Sequence, residues 1–78
     1  MIRVKNNLLI KCLGERIREI RIIKNFSQEN LANEADIPLS QIGRIERGEI
    51  NPTISSLYVI ARALDMDLKT LLDFKIEN

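Results

Sequence analysis

SQENLANEADIPLSQIGRIERG, residues Ser27 to Gly48, reads as two short helices joined by one tight corner. Ser27 is a good N-cap, because its hydroxyl can accept from the free amides of a first helical turn. Phe26 and Leu31 flank it at the spacing of a hydrophobic staple. Leu31, Ala32 and Ala35 then form an apolar stripe at helical spacing. Asp36 follows, one of the few non-glycine types that tolerate the left-handed conformation ending many helices. Pro38 suits the first turn of a new helix, where its missing N–H is not needed. In that second helix Ile42 and Ile45 can face the first, while Leu39, Ser40, Gly43, Arg44 and Arg47 turn elsewhere. Gly48 sits where a C-terminal glycine closes a helix.

Outward from this corner the chain continues as helices and short turns. Leu13, Ile17, Ile20 and the stem of Lys24 recur at three to four residues, which predicts a first helix over Lys11 to Lys24, ended by Asn25. Beyond Gly48 a loop through Asn51 and Pro52 leads to Thr53, a candidate N-cap. Ile54, Leu57, Ala61 and Leu64 form the expected buried stripe of the fourth helix, which Asp65 ends. Asp67 can cap a short fifth helix holding Leu68, Leu71 and Leu72. The expected fold class is therefore all-α, a compact five-helix domain. Residues 11–74 form its body, 1–10 an N-terminal extension and 75–78 a tail.

Composition narrows the function classes. Seventy-eight residues make one domain near the lower size limit for folding without staples. Hydrophobic residues reach 45% but aromatics only 4%, so the core is built from Ile, Leu and Ala. No apolar run is long enough to span a bilayer, and no secretory signal is legible. The single Cys12 excludes an intramolecular disulfide and a multi-cysteine zinc site, which points to a reducing cytoplasm and a packing role for that thiol. With no histidine, no glycine-rich phosphate loop and no carboxylate pair set in a cleft, neither catalysis nor a metal, cofactor or small-molecule ligand is expected. Net charge is only +1, yet residues 1–26 hold seven Lys/Arg against two acids, and residues 27–78 five against nine. That asymmetry allows one basic face beside an acidic one. A helix corner that presents polar and basic residues outward is a geometry suited to the major groove of duplex DNA.

Several separated features together resemble the Cro/CI-type, or XRE-like and lambda-repressor-like, helix-turn-helix family. They are the Ser27-Gln28 pair, Leu31-Ala32, the run Ile45 to Gly48, Asn51-Pro52, and the run Ile60 to Leu64. The likeness covers about Leu13 to Leu72. It implies a lambda-repressor-like transcriptional regulator of prokaryotic or phage origin, with double-stranded DNA as partner and a cytoplasmic, nucleoid-associated location. A phage-type repressor and a stand-alone restriction–modification controller both fit a chain this short. An antitoxin-type protein-interaction module on the same fold is the alternative, although the tail 73–78 looks short for gripping a toxin.

Carried over by position, the resemblance puts Leu39, Ser40 and Arg44 at base edges, flanked by Gln41 and Gly43. Gln28, Arg47, Asn51 and Thr53 fall at phosphate-contacting positions. Arg21 and Glu46 match a buried ion pair that links the first and third helices. Related domains dimerise through the fourth and fifth helices, where Tyr58, Leu71, Leu72, Phe74 and Ile76 could supply apolar surface for a homodimer. Glu34 or Glu49 could touch RNA polymerase in an activator.

The chain also departs from the family pattern. Asn25, Asp36 and Asp65 stand where glycine usually ends helices, and all three tolerate positive φ. Pro38 replaces a small capping hydroxyl, leaving Ile37 as a poor N-cap for the third helix. Ile22 and Ile23 are either an exposed patch or packed against residues before Lys11. In the extension, Ile2 and Val4 alternate like a short strand, Arg3 and Lys5 could form an arm to DNA, and Asn7 could instead cap a longer first helix.

Overall fold

The Asn6 side chain accepts a hydrogen bond from the Leu9 amide at 3.0 Å, and this cap starts helix α1, Asn7–Ile23. The computed structural model describes residues 6–76. The expectations for Ile2 to Lys5 lie outside the described residues. The first helix thus begins about one turn earlier than Lys11, because Ile10 joins Leu13, Ile17 and Ile20 in the buried stripe. Lys24 lies beyond the helix and is exposed; Arg21 occupies the buried position instead. Ile22 and Ile23 are both exposed.

Four further helices follow: α2, Gln28–Ala35; α3, Leu39–Glu46; α4, Ile54–Ala63; and α5, Leu68–Leu71. Each start has a local cause. Ser27 accepts from the Asn30 amide while Asn30 accepts from the Ser27 amide, a closed capping box. Thr53 caps α4 through the Ser56 amide, and Asp67 caps α5 through the Thr70 amide. Only α3 begins without a side-chain cap, and there Pro38 itself is the N-cap, not Ile37. Its ψ of 140° holds the chain extended, yet its carbonyl still accepts from the Ile42 amide at 3.1 Å. Ile37 is freed to pack against the core.

The ends share one solution. At Asn25, Asp36, Gly48 and Asp65 φ is positive, between 56° and 73°. At each, the next amide reaches back to a carbonyl five residues earlier: Phe26 to Arg21, Ile37 to Ala32, Glu49 to Arg44 and Met66 to Ala61. These are Schellman turns, which satisfy otherwise orphaned carbonyls.

Helix α1 packs on α3, α2 on both α3 and α4, and α4 on α5. The core they enclose is almost wholly aliphatic, centred on Ile17, Leu31, Ile42, Ile45, Ile60, Leu64 and Leu71. In α4 the buried stripe is Leu57, Ile60, Ala61 and Leu64; Ile54 is 62% exposed, being in the first turn and beyond the reach of the core. Crossing of α1 over the end of α3 depends on Gly14. A Cβ there would overlap the Ile45 carbonyl oxygen and come within 2.7 Å of that of Glu46. Arg16 ties α1 to the far end of the chain, donating to the carbonyls of Thr70 at 2.8 Å and Leu71 at 3.2 Å. No helix among the described residues is long and apolar enough to cross a membrane.

Candidate nucleic-acid interface

Helix α3 is divided along its length. Ile42 and Ile45 are buried against α1 and α2, whereas Leu39, Ser40, Arg44 and Arg47 are exposed and Gln41 is half-buried. Leu39, the first helical residue, is 46% exposed and offers an apolar surface at the tip. One turn further on, Arg44 presents a planar fork of donors that could bond guanine O6 and N7 together. The polar side of the rod therefore faces outward, free of the rest of the domain.

Beneath it lies a hydrogen-bonded polar network in which no buried side-chain polar atom lacks a partner among the described residues. Arg21 Nε donates to Glu46 Oε2 at 2.7 Å, Nη2 to Oε1 at 3.0 Å, and Nη1 to the Phe26 carbonyl at 2.8 Å. Gln28 Nε2 donates to Glu46 Oε1 at 3.0 Å, so the first residue of α2 is braced by the last residue of α3. The Glu46 side chain is only 2% exposed. At such burial the pair depends on its geometry and on the additional bonds to each group. Gln28 retains a second amide hydrogen and a half-exposed position at the N-terminus of α2, where the helix dipole favours an anion.

An open cleft of about 410 Å³ adjoins Gln28, walled by Lys11, Arg18 and Arg47 together with Glu15. The Arg47 guanidinium lies over Gly43, where a Cβ would meet Nη1 at 2.9 Å. Arg47 Nε also donates to Glu49 Oε2 at 2.6 Å in an exposed ion pair. That hydrogen bond is the main reason the Glu49 carboxyl sits below the ordinary carboxylate range, with the charges of Arg47 and Arg44 adding to it. The same bond holds Arg47 above its usual range.

The helix-turn-helix family profile matches residues 17–71, from the middle of α1 to the end of α5. The chain belongs to this family. Control protein C.BamHI of Bacillus amyloliquefaciens is 41% identical over 70 residues, covering 88% of this chain and 85% of that protein. The transcriptional regulator SinR of Bacillus subtilis is 38% identical over 67 residues, 85% of this chain but 60% of SinR. The restriction–modification controller protein C.AhdI from Aeromonas hydrophila superposes with a TM-score of 0.76 at 38% identity. That match covers 81% of this chain and 94% of C.AhdI. These relatives are transcriptional regulators and controller proteins.

For a helix-turn-helix protein of this geometry, two of the expected site residues need correction. Gly43 is buried, and the Arg47 guanidinium covers it, so it has little to offer a base edge. Leu71 is 0% exposed and belongs to the core, because the four-residue α5 turns it inward and Leu72 outward. Asn51 and Thr53 are exposed, and the Thr53 hydroxyl is engaged as the cap of α4. Tyr58, Leu72 and Ile76 are exposed and Phe74 is half-buried. Lys11 and Arg18, which wall the cleft beside Gln28, were not among the expected site residues. Their signal was legible: Lys11, Glu15 and Arg18 recur at four and three residues on the face of α1 away from Leu13 and Ile17. Arg16, counted there with the basic residues, is instead consumed in holding α5.

Proposed function

We propose that this chain is a sequence-specific transcriptional regulator, of the controller type, that inserts α3 into the major groove as a two-fold homodimer on a palindromic operator. The observation that carries it is the exposure of Ser40 and Arg44 on α3, a helix whose last residue, Glu46, also holds Gln28 at the N-terminus of α2. Arg44 reads a guanine, Leu39 packs on a thymine methyl, and Ser40 and Gln41 add polar contacts to base edges. Gln28, Arg47, Asn51 and the capped end of α4 at Thr53 hold the backbone on either side, with Lys11 and Arg18 extending that grip along α1. DNA as partner gives the cytoplasm as the place of action.

One such domain reads few base pairs, so specificity needs two half-sites about one helical turn apart. The surface for pairing is apolar. Tyr58 of α4 and Leu72 beyond α5 are exposed, and Leu9, Leu72, Phe74 and Ile76 line a groove of about 330 Å³ against the start of α1. Glu34, exposed on α2, remains as an acidic contact for RNA polymerase in activation.

Selection from a random duplex pool tests the proposal directly. The expected product is an inverted repeat whose half-site centres lie about 10 base pairs apart. No enrichment over scrambled competitor would overturn the reading, and an asymmetric single half-site would overturn the dimer.

A further inference from the structure

Arg47 has a partner that a simple phosphate-binding arginine does not need. Gly48 adopts φ of 73°, and the resulting Schellman turn folds Glu49 back so that its amide bonds to the Arg44 carbonyl at 2.9 Å. That return brings the Glu49 carboxylate onto Arg47 Nε at 2.6 Å while leaving the Nη1 and Nη2 fork uncommitted by the pair. Both side chains are about half exposed, and Arg47 also walls the cleft beside Gln28. The carboxyl sits below the ordinary carboxylate range, owed to the Arg47 hydrogen bond first, with the charge of Arg44 a smaller contribution.

We propose that Glu49 sets the specificity of this domain by acting through Arg47. Resting on the DNA-binding reading above, the inference concerns how that surface tells its operator from other duplex. At a distance, Glu49 cancels the charge of Arg47, which weakens the sequence-independent attraction that any phosphate backbone exerts. At contact, the bond to Nε and the seat over Gly43 hold the free fork in one orientation. A phosphate placed in register by the base contacts of α3 meets that fork, whereas a phosphate out of register meets a neutral pair. Glu49 is thus a positioning residue whose effect is on the ratio of the two affinities.

The test compares Glu49→Gln with the native chain on the duplex enriched by selection and on a scrambled duplex, across a salt series. Glu49→Gln is expected to strengthen scrambled-duplex binding about three- to tenfold at low salt, to change enriched-duplex binding by less than about twofold, and so to lower the ratio. Placing the same change in an Arg47→Ala background distinguishes positioning from plain repulsion. There the ratio should no longer respond to residue 49. An unchanged or increased ratio in the native background overturns the proposal, as does an equal fall in both backgrounds. Failure of any duplex to be enriched would instead reject the DNA-binding reading itself. Circular dichroism confirms that each variant is folded; the exposed position of the pair makes that the expected result.

Discussion

At the residue scale, two arginines of similar chemistry have opposite tasks. Arg21 is buried and spends its donors on Glu46 and the Phe26 carbonyl, whereas Arg44 is exposed, in the last turn of α3. Arg21→Ala leaves the Glu46 carboxyl nearly inaccessible and without its ion-pair partner, with Gln28 as its remaining bonded side chain. Loss of one partner of a buried pair costs about 3–5 kcal/mol. In a domain of this size the melting temperature should fall by more than about 10 °C. A melt within a degree or two of the native chain would contradict the buried network. Replacing both partners, as Arg21→Met with Glu46→Leu, should cost less than Arg21→Ala alone, since no charge is then stranded. Arg44→Ala should behave in the contrary way. Stability should stay within about 0.5 kcal/mol, as for an exposed substitution away from special features. Discrimination at one base pair should fall by about 1–3 kcal/mol, with scrambled duplex affected less. Competition binding against single-base operator variants measures it, and unaltered discrimination would remove Arg44 from the readout.

At the element scale, the stops and the starts of α2, α4 and α5 were legible because they are local, whereas α1 began a turn early and α3 took Pro38 as its N-cap. Ser27, Thr53 and Asp67 cap through the amide three residues on, and Asn25, Asp36 and Asp65 end helices in the left-handed region the sequence allows them. Orientation within short elements was less legible. One turn of α5 cannot phase Leu71 against Leu72, and the first turn of α4 lets Ile54 point away from the core. Nor could spacing show that Arg16 reaches carbonyls some 55 residues away, or that Gly14 allows α1 to touch α3 backbone to backbone. The stops remain improvable. Asp36 combines positive φ with a negative charge at a helix C-terminus, two unfavourable features. Asp36→Gly should therefore stabilise the domain by up to about 1 kcal/mol, seen as a shift of the urea midpoint with unchanged slope. Asp67 gives the pH-dependent counterpart. Bonds from the Thr70 side chain and amide hold its carboxyl below the usual aspartate range. A depressed folded pKa means that its stabilisation is complete above the ordinary aspartate value, near 3.9, and is lost as pH falls through the folded one. Asp67→Asn should lower the melting temperature at neutral pH, and the gap from the native chain should close on acidification below about pH 4. A gap that is constant with pH would show that the charge of Asp67 contributes nothing.

At the scale of the whole molecule, the surfaces proposed for DNA and for pairing are joined through one helix. Helix α1 braces α3 through Gly14 and the Arg21–Glu46 pair, and it holds α5 through Arg16. The end of α5 is therefore tied to α3 by way of α1, as a dimer needs if two recognition helices are to meet grooves at a fixed spacing. Leu72 is the place to break the pairing without breaking the fold. It is 39% exposed, while its neighbour Leu71 supplies the core contact. Leu72→Lys should leave the circular dichroism spectrum unchanged and convert the sedimenting species to monomer. A monomer makes about half the phosphate contacts of a dimer, so the slope of log K against log salt on the selected duplex should fall to about half. Affinity for that duplex should approach the value for scrambled DNA, because a single half-site has lost its partner. If Leu72→Lys stays dimeric and keeps the full salt slope, the two-fold arrangement must be built from another face, and α1 does not couple pairing to recognition in this way.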